Sequence, residues 1–149
     1  MIYLDTSALA KLVVDESESA ALAEWLDARA DEVLCTSTLT RVELLRAAAR
    51  HSEQAVPHAH GILAELALIP MDSAVVDVAS ALPPKELRSL DAVHIASAAS
   101  LSAVATATPR VDPSRAELPR PANVTVVAYD HRLLEAAERI GLDCASPGR

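Results

Sequence analysis

The sequence predicts an α/β fold in which helices cover both faces of a mostly parallel sheet of about five short strands. Short apolar runs alternate along the chain with longer segments of helical periodicity. Strands that are separated by helices pair in parallel, because a parallel neighbour needs a crossover connection. The length of 149 residues and the hydrophobic content of 51% suit one compact domain with one sizeable core. We therefore expect a single α/β/α domain over residues 1–149, with no internal repeat.

The individual elements follow from local patterns. Short runs of apolar and β-branched residues predict strands at 2–4, 33–36, 66–69, 124–129 and 142–145. Ala- and Leu-rich segments between them predict helices at 7–14, 17–30, 40–50, 53–66, 72–82, 91–101 and 131–140. A Thr40-x-x-Glu43 capping box predicts the start of the third helix, and Asp72 can cap a later one. Gly141 tolerates the left-handed end of the last helix.

One segment lacks periodicity. Residues 102–122 contain four prolines, namely Pro109, Pro113, Pro119 and Pro121. Such composition predicts an exposed, mobile loop insertion rather than part of the core. Residues 102–106 have an alternative interpretation, in which they prolong the preceding helix or form a strand.

Composition and charge exclude a generic nucleic-acid-binding protein. Thirteen basic residues against twenty-one acidic ones give a formal charge of −8, which repels a phosphate backbone unless charge is segregated or a metal intervenes. The few aromatic residues nearly exclude a base-stacking platform. Arg41, Arg46 and Arg50 lie close together in sequence, and they line a groove or, more simply, form a solvated helix face.

The cysteines and the amino terminus indicate the compartment. Cys35 and Cys144 are far apart in sequence, which fits neither a disulfide framework nor a zinc motif. Buried thiols in a reducing compartment are the simpler interpretation. The first residues lack the pattern of a signal peptide, and no apolar run is long enough to span a bilayer. We expect a soluble cytoplasmic protein without membrane association.

Four acids are the candidate functional residues. Asp5 and Asp130 follow predicted strands, whereas Glu43 and Asp91 lie at the start of predicted helices. Each has a simple structural explanation when taken alone, as a helix cap or a partner of a helix dipole. Strand ends and the following helix starts share one edge of a parallel sheet, and ligands bind at that edge. The predicted fold therefore brings the four acids towards one crevice.

Clustered carboxylates predict a metal-dependent reaction. They repel one another and resist desolvation, so the whole set needs a compensating cation. Oxygen ligands without a suitable Cys or His set select Mg²⁺ or Mn²⁺, which often share their coordination with phosphate. Such ions activate water for phosphodiester hydrolysis. We therefore predict Asp5, Glu43, Asp91 and Asp130 as both metal ligands and catalytic residues.

Three neighbours of these acids have two interpretations each. The hydroxyl of Thr6 or Ser7 can hold a metal-bound water or a phosphate oxygen behind the ligands, or it can cap the next helix. His94 lies three residues after Asp91 and shares its helix face, so that a role at the site is possible. A hydrogen-bonded core histidine is the simpler interpretation of His94.

Four segments of the chain resemble PIN-domain ribonucleases, and VapC-type toxins most of all. They are IYLDTSAL at residues 2–9, RVEL at 41–44, LDAVHIA at 90–96 and AYDHRL at 128–133. Their order across nearly the whole chain is that of the family. By this resemblance, Asp5, Glu43, Asp91 and Asp130 match the acidic site of the family, and Thr6 or Ser7 matches its neighbouring hydroxyl.

The resemblance implies a PIN fold with a parallel sheet, dependence on Mg²⁺ or Mn²⁺, and cleavage of RNA. It also implies a homodimer that is inhibited by a cognate VapB-type antitoxin. A non-catalytic PIN-like binding module is the alternative function, although such a module has no need for a complete set of acids. Metal-dependent activity on RNA separates the two.

Overall fold

The structure is a computed structural model that describes residues 1–84, 87–107 and 124–149. Strands and helices alternate along the described chain, as the sequence predicts. The strands are β1 (Ile2–Leu4), β2 (Leu34–Ser37), β3 (Ala67–Ile69), β4 (Thr125–Val127) and β5 (Asp143–Ala145). The helices are α1 (Thr6–Val13), α2 (Ser19–Asp27), α3 (Thr38–His51), α4 (Ala55–Ala64), α5 (Ser73–Ala81), α6 (Ser89–Ala107) and α7 (His131–Arg139).

The strands form one five-stranded sheet in the order β3-β2-β1-β4-β5. Every neighbouring pair is parallel, which confirms the predicted sheet. The first strand is central, with Ile2 opposite Leu34 on one side and Leu4 opposite Val127 on the other. The carboxyl ends of β1 and β4 therefore lie side by side.

Helices cover both faces of this sheet. Ile2 and Leu4 are completely buried against the layer of α1 to α4, where Leu44 and Ala59 also lie. Tyr3 points to the opposite face and is completely buried with residues of α6 and α7. This alternation follows from the two-residue period of a strand. The result is the predicted α/β/α sandwich, whose buried hydrophobic residues are mostly Ala, Leu, Val and Ile.

The predicted capping box at the start of α3 is wrong. The helix begins at Thr38, and the hydroxyl of Ser37 caps it by accepting a hydrogen bond from the Leu39 N–H at 3.3 Å. Ser37 is also the last residue of β2, so that the strand passes directly into the helix. The hydroxyl of Thr40 instead lies 2.7 Å from that of Thr36, inside the protein.

Other predicted boundaries are confirmed. Asp72 caps α5 by accepting a hydrogen bond from the Val75 N–H at 2.9 Å, and Gly141 has a φ of 84° just beyond α7. The sixth helix continues to Ala107, which is one of the two alternatives for residues 102–106. The remainder of the predicted Pro-rich insertion, residues 108–122, lies outside the described residues.

The structure also bears on the cysteines and on membrane spans. Cys35 and Cys144 are both free thiols. The thiol of Cys35 is buried and donates to the Ile2 carbonyl at 3.3 Å. Among the described helices, none combines the length and the apolar character that crossing a membrane requires.

Candidate active site

Two of the four predicted acids lie at the ends of neighbouring strands. Asp5 follows β1 and caps α1, whereas Asp130 follows β4 and caps α7. The Asp5 N–H donates to the Val127 carbonyl at 3.0 Å, which continues the pairing of the two strands. These acids therefore share one edge of the sheet, as the parallel topology predicts.

Glu43 and Asp91 reach the same edge from helices α3 and α6. His94, one turn after Asp91 on α6, joins Glu43 to Asp5: its Nε2 atom lies 2.8 Å from Glu43 Oε2 and 3.4 Å from Asp5 Oδ1. Asp91 is near enough to Asp130 and Asp5 for their charges to alter its pKa. The structure thus brings the four predicted acids into one neighbourhood.

The ring of His94 is held on both sides. It is only 2% exposed, and its Nε2 atom faces the carboxylates of Asp5 and Glu43. An ionised carboxylate only accepts hydrogen bonds, so Nε2 carries a proton and donates it. On the other side, the hydroxyl of Tyr3 lies 2.8 Å from Nδ1 and fixes the orientation of the ring. His94 is therefore the buried, hydrogen-bonded histidine of the simpler interpretation, and it also contacts two site acids.

The two predicted hydroxyls each orient a carboxylate. Ser7 Oγ donates to Asp5 Oδ2 at 2.7 Å and accepts a hydrogen bond from the Tyr129 N–H at 2.8 Å. The hydroxyl of Thr6 donates to Glu43 Oε2. Ser7 thereby ties the end of β1 to the segment that follows β4.

The contact between His94 and Glu43 helps to lower the pKa of Glu43 and to raise the pKa of His94. Burial acts to raise the pKa of Glu43, but hydrogen bonds from His94 and Thr6 outweigh it and lower the pKa below its ordinary value. Burial acts to lower the pKa of His94, whereas its hydrogen bond to Glu43 and the negative charge of Asp5 raise it overall. Each partner thus favours the charged form of the other.

The pKa of Asp91 is raised, because nearby positive groups offset the effect of burial only in part. Burial raises its pKa, the charges of Asp130 and Asp5 raise it further, and Arg88 and His94 offset only part of this effect. Its Oδ2 atom is buried without a hydrogen-bond partner, the one such side-chain atom among the described residues. A buried acceptor in this state needs a positively charged or hydrogen-donating ligand.

The donor chemistry fits a hard divalent cation. All four acids offer carboxylate oxygens, and Asp91 Oδ2 is buried and unpartnered. Within the residues that the structure describes, no three His, Cys, Asp or Glu side chains are already gathered as a metal site. Asp5 and Glu43 are instead paired with the ring nitrogen of His94. The residue types therefore fit a metal, while their spacing is that of acids held by hydrogen bonds.

Asp130 lies on the open side of this neighbourhood. Its side chain is 31% exposed, compared with 8% for that of Asp5. Two guanidinium groups approach it: Arg88 Nη1 lies 4.0 Å from Oδ2, and Arg132 Nε lies 3.9 Å from Oδ1. Both arginine side chains are 60% exposed. The site therefore has two halves. The buried half contains Asp5 and Glu43 around His94, and the open half contains Asp91 and Asp130.

Sequence reasoning missed the positions of Tyr3, Arg88 and Arg132 at this site. Tyr3 has the opposite strand parity to Ile2 and Leu4, which indicates its face of the sheet but not its contact with a histidine. The two arginines lie three residues before Asp91 and two residues after Asp130. That proximity in sequence is the pattern that points to them.

Comparison with known proteins identifies the family. The sequence profile of the PIN domain matches residues 2–139. The chain belongs to the PIN-domain family. Ribonuclease VapC35 of Mycobacterium tuberculosis is 42% identical over 149 residues, which cover 100% of this chain and 98% of VapC35. Ribonuclease VapC47 of the same organism is 39% identical over 151 residues, with 99% and 98% of the two chains covered.

Solved structures share the fold of this PIN domain. FitAB bound to the IR36 DNA fragment matches with a TM-score of 0.71 at 19% identity, covering 100% of this chain and 96% of that one. FitAcB from Neisseria gonorrhoeae matches with a TM-score of 0.69 at 20% identity, covering 99% and 98%. At such low identity, the likeness concerns the arrangement of strands and helices.

We predict that Asp91→Asn leaves the metal-free PIN domain at least as stable as the wild type at neutral pH, because it removes a charge that burial and two acids oppose. A carboxyl group with a raised pKa in the fold contributes stability below its unfolded pKa and loses it as pH rises through the folded pKa. Wild-type stability relative to the variant should therefore fall as pH rises above about 3.8. Urea unfolding in EDTA over a pH series measures this.

Asp72→Asn is the control, because this exposed cap also loses one charge and asparagine caps helices equally well. Its stability difference from the wild type should not follow that of Asp91→Asn over the pH series. If Asp91 only favours the start of α6, its replacement should instead cost about 0.5–1 kcal/mol at neutral pH. That result would contradict the prediction.

We further predict that Tyr3→Phe destabilises the metal-free protein by about 1–3 kcal/mol, because buried His94 Nδ1 loses its hydrogen-bond partner. In a His94→Leu background, the same substitution should cost markedly less, so that a double-mutant cycle gives a coupling of roughly 1 kcal/mol. Tyr129→Phe, whose hydroxyl donates to the Pro147 carbonyl, should be additive with His94→Leu. Additivity of Tyr3→Phe with His94→Leu would refute the coupling between Tyr3 and His94.

Proposed function

We propose that this PIN domain is a metal-dependent endoribonuclease, the toxin of a VapBC-type toxin-antitoxin pair. The observation that carries the proposal is the buried, unpartnered Oδ2 of Asp91, whose pKa is raised by burial and by the nearby charges of Asp130 and Asp5. A site of this kind suits a cation and a negatively charged substrate. Relatives of about 40% identity that are named ribonucleases support RNA as the substrate.

Asp5, Glu43, Asp91 and Asp130 would hold the ion. Carboxylate oxygens favour Mg²⁺, with Mn²⁺ as the other candidate. When bound, the ion supplies an activated water and neutralises charge on the phosphodiester. It also compensates for the repulsion between a chain of net charge −8 and an RNA backbone.

The residues around the acids have positioning roles in this proposal. Ser7 and Thr6 hold the carboxylates of Asp5 and Glu43 in fixed directions. His94 keeps a proton at Nε2 between these two acids, and its burial excludes water from that half of the site. RNA approaches from the open half. Hydrolysis there is then directed by groups whose orientation is set before the substrate arrives.

The proposal also covers the assembly of the protein. We propose that residues 1–149 act as one domain in the cytoplasm and that two copies form a homodimer. An apolar surface on and after β3 and on α5 supports a contact between copies. It contains Leu68 and Val78, which line the same groove and are 36% and 46% exposed.

A VapB-type antitoxin would bind over the acids. Val42 and Leu90, the neighbours of Glu43 and Asp91, are 59% and 50% exposed and offer apolar contacts beside the site. An arginine of the partner can satisfy a pair of carboxylates with its planar fork of donors. Such an insertion would compete with both the metal and RNA.

We expect the purified chain, freed of any partner, to cleave single-stranded RNA with Mg²⁺ or Mn²⁺ and to be inactive in excess EDTA. Asp91→Asn should abolish cleavage, and it should also remove most of the rise in melting temperature that either ion gives to the wild type. Asp72→Asn should retain both responses. Undiminished cleavage in EDTA, or a metal response that survives in Asp91→Asn, would refute the assigned site.

We also expect size-exclusion chromatography with light scattering to show the mass of a dimer for the chain alone. Coexpression with the product of an adjacent small antitoxin-like reading frame should yield a complex that no longer cleaves RNA. Val42→Asp should weaken that complex, because it places a charge on the apolar part of the contact. A complex with full ribonuclease activity would show that the antitoxin does not cover the acids.

A further inference from the structure

We propose that Arg88 and Arg132 form a phosphate-binding pair that receives the RNA backbone at the open half of the site. The inference rests on the proposed ribonuclease function and deepens it, because it names the residues that bind the substrate and the side from which it enters. The pair is defined by its position at Asp130, where Arg88 Nη1 lies 4.0 Å from one carboxylate oxygen and Arg132 Nε 3.9 Å from the other.

The two arginines lie at the starts of the helices that carry Asp91 and Asp130. Arg88 immediately precedes α6 and acts electrostatically on Asp91, while Arg132 lies in the first turn of α7. The backbone N–H of Arg132 donates to Asp130 Oδ1 at 2.9 Å, which fixes where its side chain begins. The side chain of Arg132 therefore starts from a helix, and that of Arg88 from the residue before one, whose carbonyl accepts a hydrogen bond from the Ala92 N–H at 2.9 Å.

Their guanidinium groups are available to a ligand. Each is 60% exposed, and the distances to Asp130 exceed those of a direct hydrogen bond. Ion pairs of this kind at a surface contribute little stability. A planar fork of N–H donors matches the oxygens of a phosphate, and such charge-assisted bonds are stronger than neutral ones. A phosphodiester at this point would gain donors that Asp130 does not occupy.

Three other basic side chains of the described residues are engaged elsewhere. Lys11 is buried against Glu16 and Glu18, Arg149 pairs with Glu18, and Arg29 stacks 3.9 Å from the ring of Trp25. The three exposed arginines of α3, namely Arg41, Arg46 and Arg50, have no ion pair with a site acid among the described residues. Among the described residues, Arg88 and Arg132 are therefore the Lys or Arg side chains that have an ion pair with a site acid.

The negative charge of the whole chain makes the position of Arg88 and Arg132 important for RNA binding. With a formal charge of −8, the protein repels RNA at long range, so productive approach depends on local positive charge. Among the described residues, the basic side chain at the buried half is His94, which is 2% exposed and directed at Asp5 and Glu43. An RNA strand that crosses the open half meets two exposed guanidinium groups next to Asp130.

The test compares Arg88→Ala and Arg132→Ala with Arg139→Ala. The control removes the same charge from an exposed arginine two turns further along α7, away from the acids. Steady-state cleavage of a single-stranded RNA oligonucleotide gives KM and kcat in Mg²⁺ over a series of salt concentrations. Fluorescence anisotropy of the same oligonucleotide, measured in an Asp91→Asn background, gives RNA affinity without cleavage.

We expect each substitution at the pair to raise KM and the Kd roughly tenfold, with kcat changed by no more than about threefold. The slope of log Kd against log salt should become shallower by about 0.7 for each arginine that is lost. Arg88→Lys and Arg132→Lys should restore the slope but only part of the affinity, because lysine keeps the charge and loses the fork. Arg139→Ala should match the wild type in every measurement.

Effects on KM and salt slope no larger than those of Arg139→Ala would overturn the proposal. A fall in kcat at unchanged KM and Kd would also overturn it, because the arginines would then act on Asp130 rather than on RNA. If the wild type shows no metal-dependent cleavage, the proposed function fails by itself. The anisotropy measurement then still decides whether the two arginines bind RNA.

Discussion

Mutual repulsion of carboxylates at one edge of the sheet is the constraint on which the rest of this site depends. The parallel pairing of β1 and β4 brings the segments that carry Asp5 and Asp130 to the same edge, and helices α3 and α6 add Glu43 and Asp91. Water cannot screen all of these charges, because Asp5 is buried and Glu43 and Asp91 are half-buried. The groups around the acids therefore act mainly by stabilising their negative charge.

Compensation differs between the two halves of the site. In the buried half, the Nε2 proton of His94 is shared between Asp5 and Glu43, and Tyr3 holds the ring from behind. This explains why the pKa of Glu43 is lowered although burial opposes ionisation. In the open half, Asp91 has no comparable donor and its pKa is raised. The acids of the buried half therefore have hydrogen-bond donors within the chain, whereas Asp91 Oδ2 has none among the described residues.

Much of the fold was predictable because periodicity reports directly on which face of an element is buried. The five parallel strands and the edge location of Asp5 and Asp130 follow from alternation and topology alone. The start of α3 was not predictable, since the hydroxyl of Ser37 caps the helix before the Thr40 pattern can act. The contact of Tyr3 with His94 joins residues 91 positions apart, and no local pattern encodes such a distance. Substrate and partner came from family resemblance, because residue spacing does not specify them.

The in-register pairing of β1 with β4 determines the scale of the site. Leu4 lies opposite Val127, so the segments that lead to Asp5 and, three residues beyond Val127, to Asp130 begin from backbones separated by the ordinary interstrand spacing of about 4.8 Å. That spacing is a property of the peptide hydrogen bond and not of any particular side chain. The distance from which the two acidic segments start is thus set by the backbone. Core residues can drift among Ala, Leu, Val and Ile without changing it, which is consistent with solved structures of only 19% and 20% identity that keep the same architecture.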